Sequence, residues 1–127
     1  MKTPKLHRLG DLQLRILKVL WDREETSVAD VHAALSRQRL AYTTIATMLR
    51  KMETRGLVAH RAEGRTFLYR AAVAAEHVGQ GMADHVLDRL FEGSLADMVS
   101  HLLDTREVSQ EELAELQRLI GQRRKQA

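Results

Sequence analysis

The 127-residue sequence contains no cysteine and no long apolar run. The lack of cysteine excludes a disulfide framework and a thiolate metal site, and it fits a reducing compartment. No apolar stretch approaches the roughly 20 residues that a membrane-spanning helix needs. The basic amino-terminal segment lacks the apolar core of a signal peptide. We therefore expect a soluble, cytoplasmic protein that does not contact a membrane.

Motifs of enzyme chemistry are also missing. We find no glycine-rich phosphate loop, nucleophile motif or paired-carboxylate signature. Among the six histidines, His85 stands three residues before Asp88 and His101 three before Asp104, a spacing that suits zinc ligands on a helix. Such pairs are common on solvated helices, and the sequence fixes no third ligand. We expect no enzyme activity, no cofactor and no metal site.

The charge is divided unevenly along the chain. Residues 1–71 hold 14 Lys and Arg against 7 Asp and Glu, a net charge of +7, whereas residues 72–127 hold 6 against 10, a net charge of −4. A basic first half favours a polyanionic partner such as DNA. An acidic second half is expected to stay away from that partner and to serve another purpose.

The most informative stretch runs from Tyr42 to Arg55. Its apolar residues recur at the spacing of a helix with one buried face; they are Ile45, Met48, Leu49 and Met52. We expect Thr43 or Thr44 to cap its start and Gly56 to end it in the left-handed conformation. The opposite face carries small hydroxyl and methyl groups with two basic side chains and no acid, which suits a DNA major groove. The predicted DNA-binding residues of this helix are Thr43, Thr44, Ala46, Thr47, Arg50, Lys51 and Thr54.

Two helices are predicted before this stretch. Asp11 is expected to cap a helix over residues 12–21, and Ser27 a second helix, with Asp30 in a capping-box-like position. A short polar connection separates them. The second helix and the helix over residues 43–55 then form a helix-turn-helix.

A β-hairpin is predicted immediately after the helix-turn-helix. The apolar period changes to two over residues 57–61 and 66–71, and Gly64 supplies the turn. A hairpin at this point is the wing of a winged helix-turn-helix. We expect Arg61 and Arg65 to contact DNA phosphates; the alternative is an ordinary edge hairpin protected by its charges.

The second half contains three short amphipathic helices. They are too small to form a stable core alone, and without cysteine a second copy of the chain is the expected partner. The alternative is that they pack on the winged helix of the same chain. The predicted dimerisation residues are Val78, Met82, Val86, Leu90, Leu95, Met98, Val99, Leu102, Leu113, Leu116 and Ile120.

Nearly the whole chain resembles the penicillinase-repressor family. The segments that carry the resemblance are 9–12, 20–21, 41–45, 48–52, 55–58, 64–65 with Tyr69, 92–95 and 109–113. The resemblance implies a homodimeric repressor that binds an inverted repeat, often with TACA and TGTA elements. It also implies that the amino-terminal part binds DNA and that the carboxy-terminal helices form the dimer.

The chain departs from the family pattern in three ways. One branch senses copper through a carboxy-terminal cysteine cluster, which this chain lacks. Another branch is induced by a sensor protease that cleaves between Asn and Phe; the matching positions here are His101 and Leu102, so they are the candidate regulatory cleavage site. Some relatives carry a larger basic residue at the position of Ala46.

These observations predict a mainly α protein with a small β-hairpin, in which a winged helix-turn-helix over residues 1–72 precedes a three-helix dimerisation region over residues 73–127. The expected function is that of a homodimeric transcriptional repressor whose partners are double-stranded DNA and a second copy, with a sensor protease as a candidate. Two alternatives stay open: a metal-responsive regulator on the same fold, and a winged-helix protein-interaction module without operator binding.

Overall fold

The structure is a computed structural model that describes residues 6–127, without the side chain of His7. Segment 1–5, part of the region in which we expect no signal peptide, lies outside the described residues. The chain divides into two compact units, one ending at His85 and one spanning Val86–Ala127. In the described part of the chain, no helix is both long and apolar enough to cross a membrane.

Three helices and three strands build most of the first unit. The helices are α1 (Asp11–Arg23), α2 (Val28–Ala34) and α3 (Tyr42–Thr54). The strands are β1 (Thr26–Ser27), β2 (Val58–Glu63) and β3 (Thr66–Ala71), which form an antiparallel sheet in the order β1-β3-β2. This arrangement confirms the predicted winged-helix fold and adds a third strand, β1, which is too short to produce an alternating pattern in the sequence.

The helix ends partly follow the predicted caps. Ser27 caps α2 as expected, because its hydroxyl accepts a hydrogen bond from the backbone N–H of Asp30 at 3.1 Å. The predicted caps of α1 and α3 are wrong. Asp11 is the first residue of α1, and Thr43 lies inside α3, whose N-cap residue is Ala41. The α1 start is closed instead by the Gln13 side chain, whose Oε1 accepts from the Gly10 N–H at 3.0 Å.

The end of α3 sets the direction of the wing. Gly56 has a φ of 79°, as predicted for a residue that ends a helix in the left-handed region. The N–H of Leu57 donates to the carbonyl of Met52 at 2.9 Å, and β2 begins one residue later. At the wing tip, Glu63 pairs with Thr66, so the hairpin loop is Gly64 and Arg65. Gly64 has the positive φ, 62°, that the first central residue of a type II′ turn requires.

One hydrophobic core holds the first unit together. Its fully buried apolar side chains come from all three long helices, from the sheet and from the helix that follows. They are Ile16, Leu17, Leu20, Val31, Ile45, Leu49, Met52, Leu57, Val58, Tyr69 and Val78. The helices and the sheet of the first unit therefore share one core, with Leu12 and Leu35 only partly buried at its edge.

The remaining helices are α4 (Ala75–Leu90), α5 (Leu95–Thr105) and α6 (Gln110–Gln126). Ser94 caps α5 and Ser109 caps α6, each accepting from the backbone N–H three residues later at 3.1 Å. The first turns of α4 belong to the first unit, because Val78 is 2% exposed in its core and Met82 packs against that core. The compact units thus divide at His85, later than the predicted domain boundary at residue 72.

Candidate nucleic-acid interface

The outer face of α3 is the first part of the predicted DNA-binding surface. The structure leaves Thr43, Thr44, Thr47, Arg50, Lys51 and Thr54 exposed and Ala46 half-buried. A shallow hollow of about 270 Å³ on this face is lined by threonines, Met48 and Lys51, with no acidic residue. Because Ile45, Leu49 and Met52 are fully buried, the rotation of α3 is fixed and this face is held away from the core.

Two polar side chains of this face make contacts within α3. The guanidinium of Arg50 donates to the Thr47 hydroxyl at 3.4 Å, a long hydrogen bond that a base or phosphate can replace. The Thr54 hydroxyl donates to the Arg50 carbonyl at 3.1 Å. Thr54 therefore uses its donor inside the helix and retains only acceptor capacity toward a ligand.

The acidic residue nearest to this face, Glu53, is bound by the wing. Its carboxylate lies 2.7 Å from His60 Nδ1 and accepts the His60 backbone N–H at 3.1 Å. This contact joins the last turn of α3 to β2. Burial raises the pKa of the neighbouring Tyr69 phenol, and the negative charge of Glu53 raises it further. The sequence analysis did not pair these residues, because the contact depends on how the hairpin folds back onto α3.

The two predicted wing arginines lie in different environments. Arg65 is exposed in the hairpin loop. The Arg61 guanidinium instead donates two hydrogen bonds to Glu25, at 2.7 and 3.1 Å, and lies 3.8 Å from Glu63. The hydrogen bond from Arg61 lowers the pKa of the Glu25 carboxyl below its usual value, so Glu25 stays ionised. Arg61 is therefore already paired within the chain, and Glu25 is a residue that the sequence analysis missed.

Most predicted dimerisation residues lie in α5, α6 and the end of α4. Leu90 is 73% exposed, Leu95 is 64% and Ile120 is 57%, while Val86 and Leu102 are also exposed. Met98, Val99, Leu113 and Leu116 are half-buried. A hollow of about 520 Å³ between α5 and α6 has a mainly apolar lining that includes Leu95, Val99, Leu103 and Ile120.

Two residues of the predicted dimerisation set are placed elsewhere. Val78 is buried in the core of the first unit, so its side chain is not available to a second copy, and this part of the prediction is wrong. Met82 packs against the same core and is at most at the edge of a shared surface. For these first turns of α4, the alternative of packing on the winged helix is the one observed.

The candidate cleavage positions are both accessible. His101 and Leu102 are exposed in the middle of α5, and the His101 ring lies 5.6 Å from the ring of Phe91. Within residues 6–127, no three His, Asp or Glu side chains are grouped so that they could hold a metal ion.

Comparison with known proteins assigns the family. The family model described as "Penicillinase repressor" matches residues 9–122. The chain belongs to the penicillinase repressor family. As a member of this family it is a transcriptional repressor with a DNA-binding winged helix, and it is not an enzyme.

Individual relatives in the family agree with this assignment. The penicillinase repressor of Bacillus licheniformis is 28% identical over 117 residues, which cover 91% of each chain. The transcriptional regulator BlaI of Mycobacterium tuberculosis is 34% identical over 103 residues, covering 79% of this chain and 75% of the relative.

Solved structures support the same fold. The solution structure of the DNA-binding domain of the repressor BlaI aligns with a TM-score of 0.51 at 28% identity, over 57% of this chain and 90% of that domain. A MarR variant from E. coli in complex with operator DNA aligns with a TM-score of 0.53, over 91% of this chain and 75% of that one. At 14% identity, the MarR likeness shows only the fold.

Proposed function

We propose that this penicillinase repressor relative is a homodimer that binds an inverted-repeat operator, with α3 of each copy in a major groove and the wing beside it. The observation that carries the proposal is the exposed, acid-free outer face of α3. Small threonine and alanine side chains allow a helix to approach base edges closely, and threonine methyl groups can contact the methyl group of thymine. Arg50 and Lys51 supply donors for guanine edges or phosphates.

The division of charge supports the same arrangement. The net charge of +7 over residues 1–71 favours the phosphate backbone, and the net charge of −4 over residues 72–127 disfavours contact between the second half and DNA. A repressor of this kind acts where the DNA is, so we place the protein in the cytoplasm.

The proposal of a homodimer rests on the second unit. Neither α5 nor α6 has a buried side chain, and large apolar residues such as Leu95 and Ile120 are mostly exposed in the single chain. A second copy would cover these surfaces with surfaces of the same kind. Two linked winged helices gain affinity through effective concentration, and half-sites about one helical turn, or a multiple of it, apart are expected.

Proteolysis between His101 and Leu102 would fit this design. The peptide bond lies in the middle of α5, the helix with the exposed Leu95 and Leu103 side chains. Cutting it would separate the two ends of the proposed dimer surface and leave the outer face of α3 intact. A sensor protease is therefore the proposed partner for induction.

Arg50→Ala tests the proposed role of α3 in recognition. The operator is first selected from a pool of random duplexes with the wild-type protein. The substitution should then cost about 1–3 kcal/mol per half-site and relax the preference at one base pair of each half-site, if Arg50 makes a bidentate base contact.

The matched control is Arg65→Ala in the wing. It should weaken the operator and a scrambled duplex alike and reduce the slope of log affinity against log salt by about one for each bound copy. Arg50 is only a phosphate contact if its replacement also lowers both affinities equally. A wild type that selects no sequence from the pool contradicts the proposed operator binding itself.

A further inference from the structure

Two aromatic side chains are unusually exposed in the first unit. Among its described residues, Tyr42 at 49% and Phe67 at 50% are the large apolar side chains left most accessible. Both line the same groove of about 380 Å³, which we call the aromatic groove; Ser27, Arg65 and Thr66 also line it. The groove lies between the start of α2, the first turn of α3 and the tip of the wing. Exposed apolar residues that converge on one concavity are typical of a binding surface.

Tyr42 is held in place by a histidine. Its ring lies edge-on to the His32 ring, with centroids 5.9 Å apart and planes at 72°. His32 Nε2 lies 2.8 Å from the Leu40 carbonyl oxygen, which can only accept, so this nitrogen carries the proton and donates it. The histidine is thus fixed to the segment that leads into α3 and limits the freedom of the Tyr42 ring.

Phe67 is held in a similar way from the other side of the groove. Its ring lies against the His60 ring, with centroids 4.4 Å apart and planes at 34°. His60 is in turn bound to the Glu53 carboxylate at 2.7 Å. Each aromatic ring is therefore supported by a histidine that is itself hydrogen-bonded, and both rings remain exposed without folding back onto the core.

The chemistry of the groove fits a sugar-phosphate backbone. Its lining contains no acidic residue and includes the cation of Arg65, the hydroxyls of Ser27 and Thr66, and the two aromatic rings. It involves the first turn of α3, because Tyr42 stands directly before Thr43, which lines the hollow on the outer face of that helix. Phosphate oxygens accept hydrogen bonds from Tyr, Ser, Thr and Arg side chains in protein–DNA complexes.

We propose that the aromatic groove holds one DNA strand of the half-site between α3 and the wing, with the Tyr42 hydroxyl donating to a phosphate and Phe67 packing against a deoxyribose. This inference rests on the proposed operator binding and extends it to residues outside the predicted DNA-binding set. Tyr42 and Phe67 then fix the register of α3 on the duplex, while base contacts come from the outer face of α3.

Tyr42→Phe tests the hydroxyl contact, and Tyr69→Phe is its matched control. These are the two tyrosines of the chain, and Tyr69 is buried in the core at 2% exposure. Affinity is measured for the inverted-repeat operator selected from random duplexes with the wild-type protein and for a scrambled duplex of the same composition. Tyr42→Phe should weaken both by about tenfold for each bound copy, the value of one charge-assisted hydrogen bond, with an unchanged salt slope. Tyr69→Phe should leave both affinities unchanged.

Two further measurements locate the contact of Tyr42 directly. Duplexes with a methylphosphonate at one phosphate at a time should reveal one position in each half-site that weakens the wild type and leaves Tyr42→Phe unaffected. In protein labelled with 3-fluorotyrosine, adding duplex should shift the ¹⁹F signal of Tyr42 and not that of Tyr69.

The possible outcomes distinguish a failure of the groove proposal from a failure of the proposed function. If the wild type and Tyr42→Phe bind both duplexes equally well and the ¹⁹F signal of Tyr42 does not move, the groove does not hold a DNA strand. The proposed function would still stand in that case. A loss confined to the inverted repeat also overturns the groove proposal, because the hydroxyl would then read a base. A wild type that binds neither duplex overturns the proposed function and the groove together.

Discussion

The two units of the molecule differ in whether they bury their apolar side chains. The first unit, up to His85, gathers apolar side chains from every long element into one core, with Ile16, Ile45 and Leu49 at 0% exposure. In the second unit, α5 and α6 also have apolar stripes but bury no side chain at all. An apolar stripe therefore predicts a helix with one face to cover, and it does not say which surface covers it.

This difference in burial implies a difference in how much each unit is stabilised within a single chain. Burying a leucine or isoleucine side chain is worth about 1.5–3 kcal/mol relative to leaving it exposed. The first unit gains this within one chain, whereas Leu90, Leu95 and Ile120 gain little of it. We infer that the first unit folds alone and that the second reaches its stable form only when a partner covers it.

Leu102→Asp should have the largest effect, because it should disrupt the second unit's dimer surface and leave the first unit unchanged. An unpaired carboxylate in a covered apolar surface costs about 3–5 kcal/mol, so the dimer should weaken at least about a hundredfold. Sedimentation should show a monomer, and operator affinity should fall because the two winged helices are no longer linked. The unfolding of the first unit should be unchanged.

The control for Leu102→Asp is Gln117→Asp, which places the same charge at an exposed polar position of α6. This variant should sediment as the wild type does. If Leu102→Asp remains a dimer with full operator affinity, or if the wild type is itself monomeric, the second unit is not the dimerisation element.

The sequence predicted the fold well where a side-chain period was long enough to read. Of the predicted stripe, Ile45, Leu49 and Met52 are fully buried and Met48 is half-buried, and the strand over residues 66–71 appears as β3. Strand β1 was missed, because two residues show no alternation. The cap at Asp11 was misplaced, because the Gln13 side chain accepts from the Gly10 N–H and the helix starts one residue earlier than expected.

The candidate site was predictable only where one helix carries it. The outer face of α3 follows from its own spacing, so its exposure could be foreseen from Tyr42 onward. The pairing of Arg61 with Glu25 joins residues 36 positions apart and depends on the three-strand sheet. The burial of Val78 likewise depends on where α4 starts relative to the core, which no local pattern specifies.

Two truncations sharpen the boundary between the units. A fragment ending at residue 85 should be a folded monomer as stable as the first unit of the whole chain. A fragment ending at residue 72 loses the Val73 carbonyl, which accepts the Trp21 indole N–H at 2.9 Å, and the buried Val78 side chain. It should be less stable by about 2–4 kcal/mol in urea unfolding, the sum of one hydrogen bond and one buried valine. Equal stability of the two fragments would contradict the assignment of the first turns of α4 to the first unit.

The smallest expected effects come from two exposed ion pairs, one in each unit. In the first unit, Glu25 and Arg61 join separate elements, whereas in the second unit Glu115 and Arg118 stand three residues apart in α6. In both pairs the hydrogen bond from the arginine lowers the pKa of the glutamate. Exposed pairs contribute little to stability, so each substitution by glutamine should cause at most a small change.

The position of each pair decides which change is measurable. Glu25→Gln should slightly lower the melting temperature of the first unit, because its pair fixes the chain before β1 to β2. Glu115→Gln should leave that temperature unchanged, because its pair lies within one helix of the other unit.

The contribution of Glu25 should depend on pH, because its carboxyl has a lowered pKa in the folded protein. The ionised carboxyl stabilises the fold fully when the pH is above 4.5, its pKa in the unfolded chain, and this contribution is lost as the pH falls through the lower pKa of the folded state. The difference between Glu25→Gln and the wild type should therefore be present near pH 7 and shrink as the pH falls below 4.5, as measured by thermal melts followed by circular dichroism. A difference that persists unchanged in acid would mean that the Glu25 side chain stabilises the first unit by packing and not by its charge.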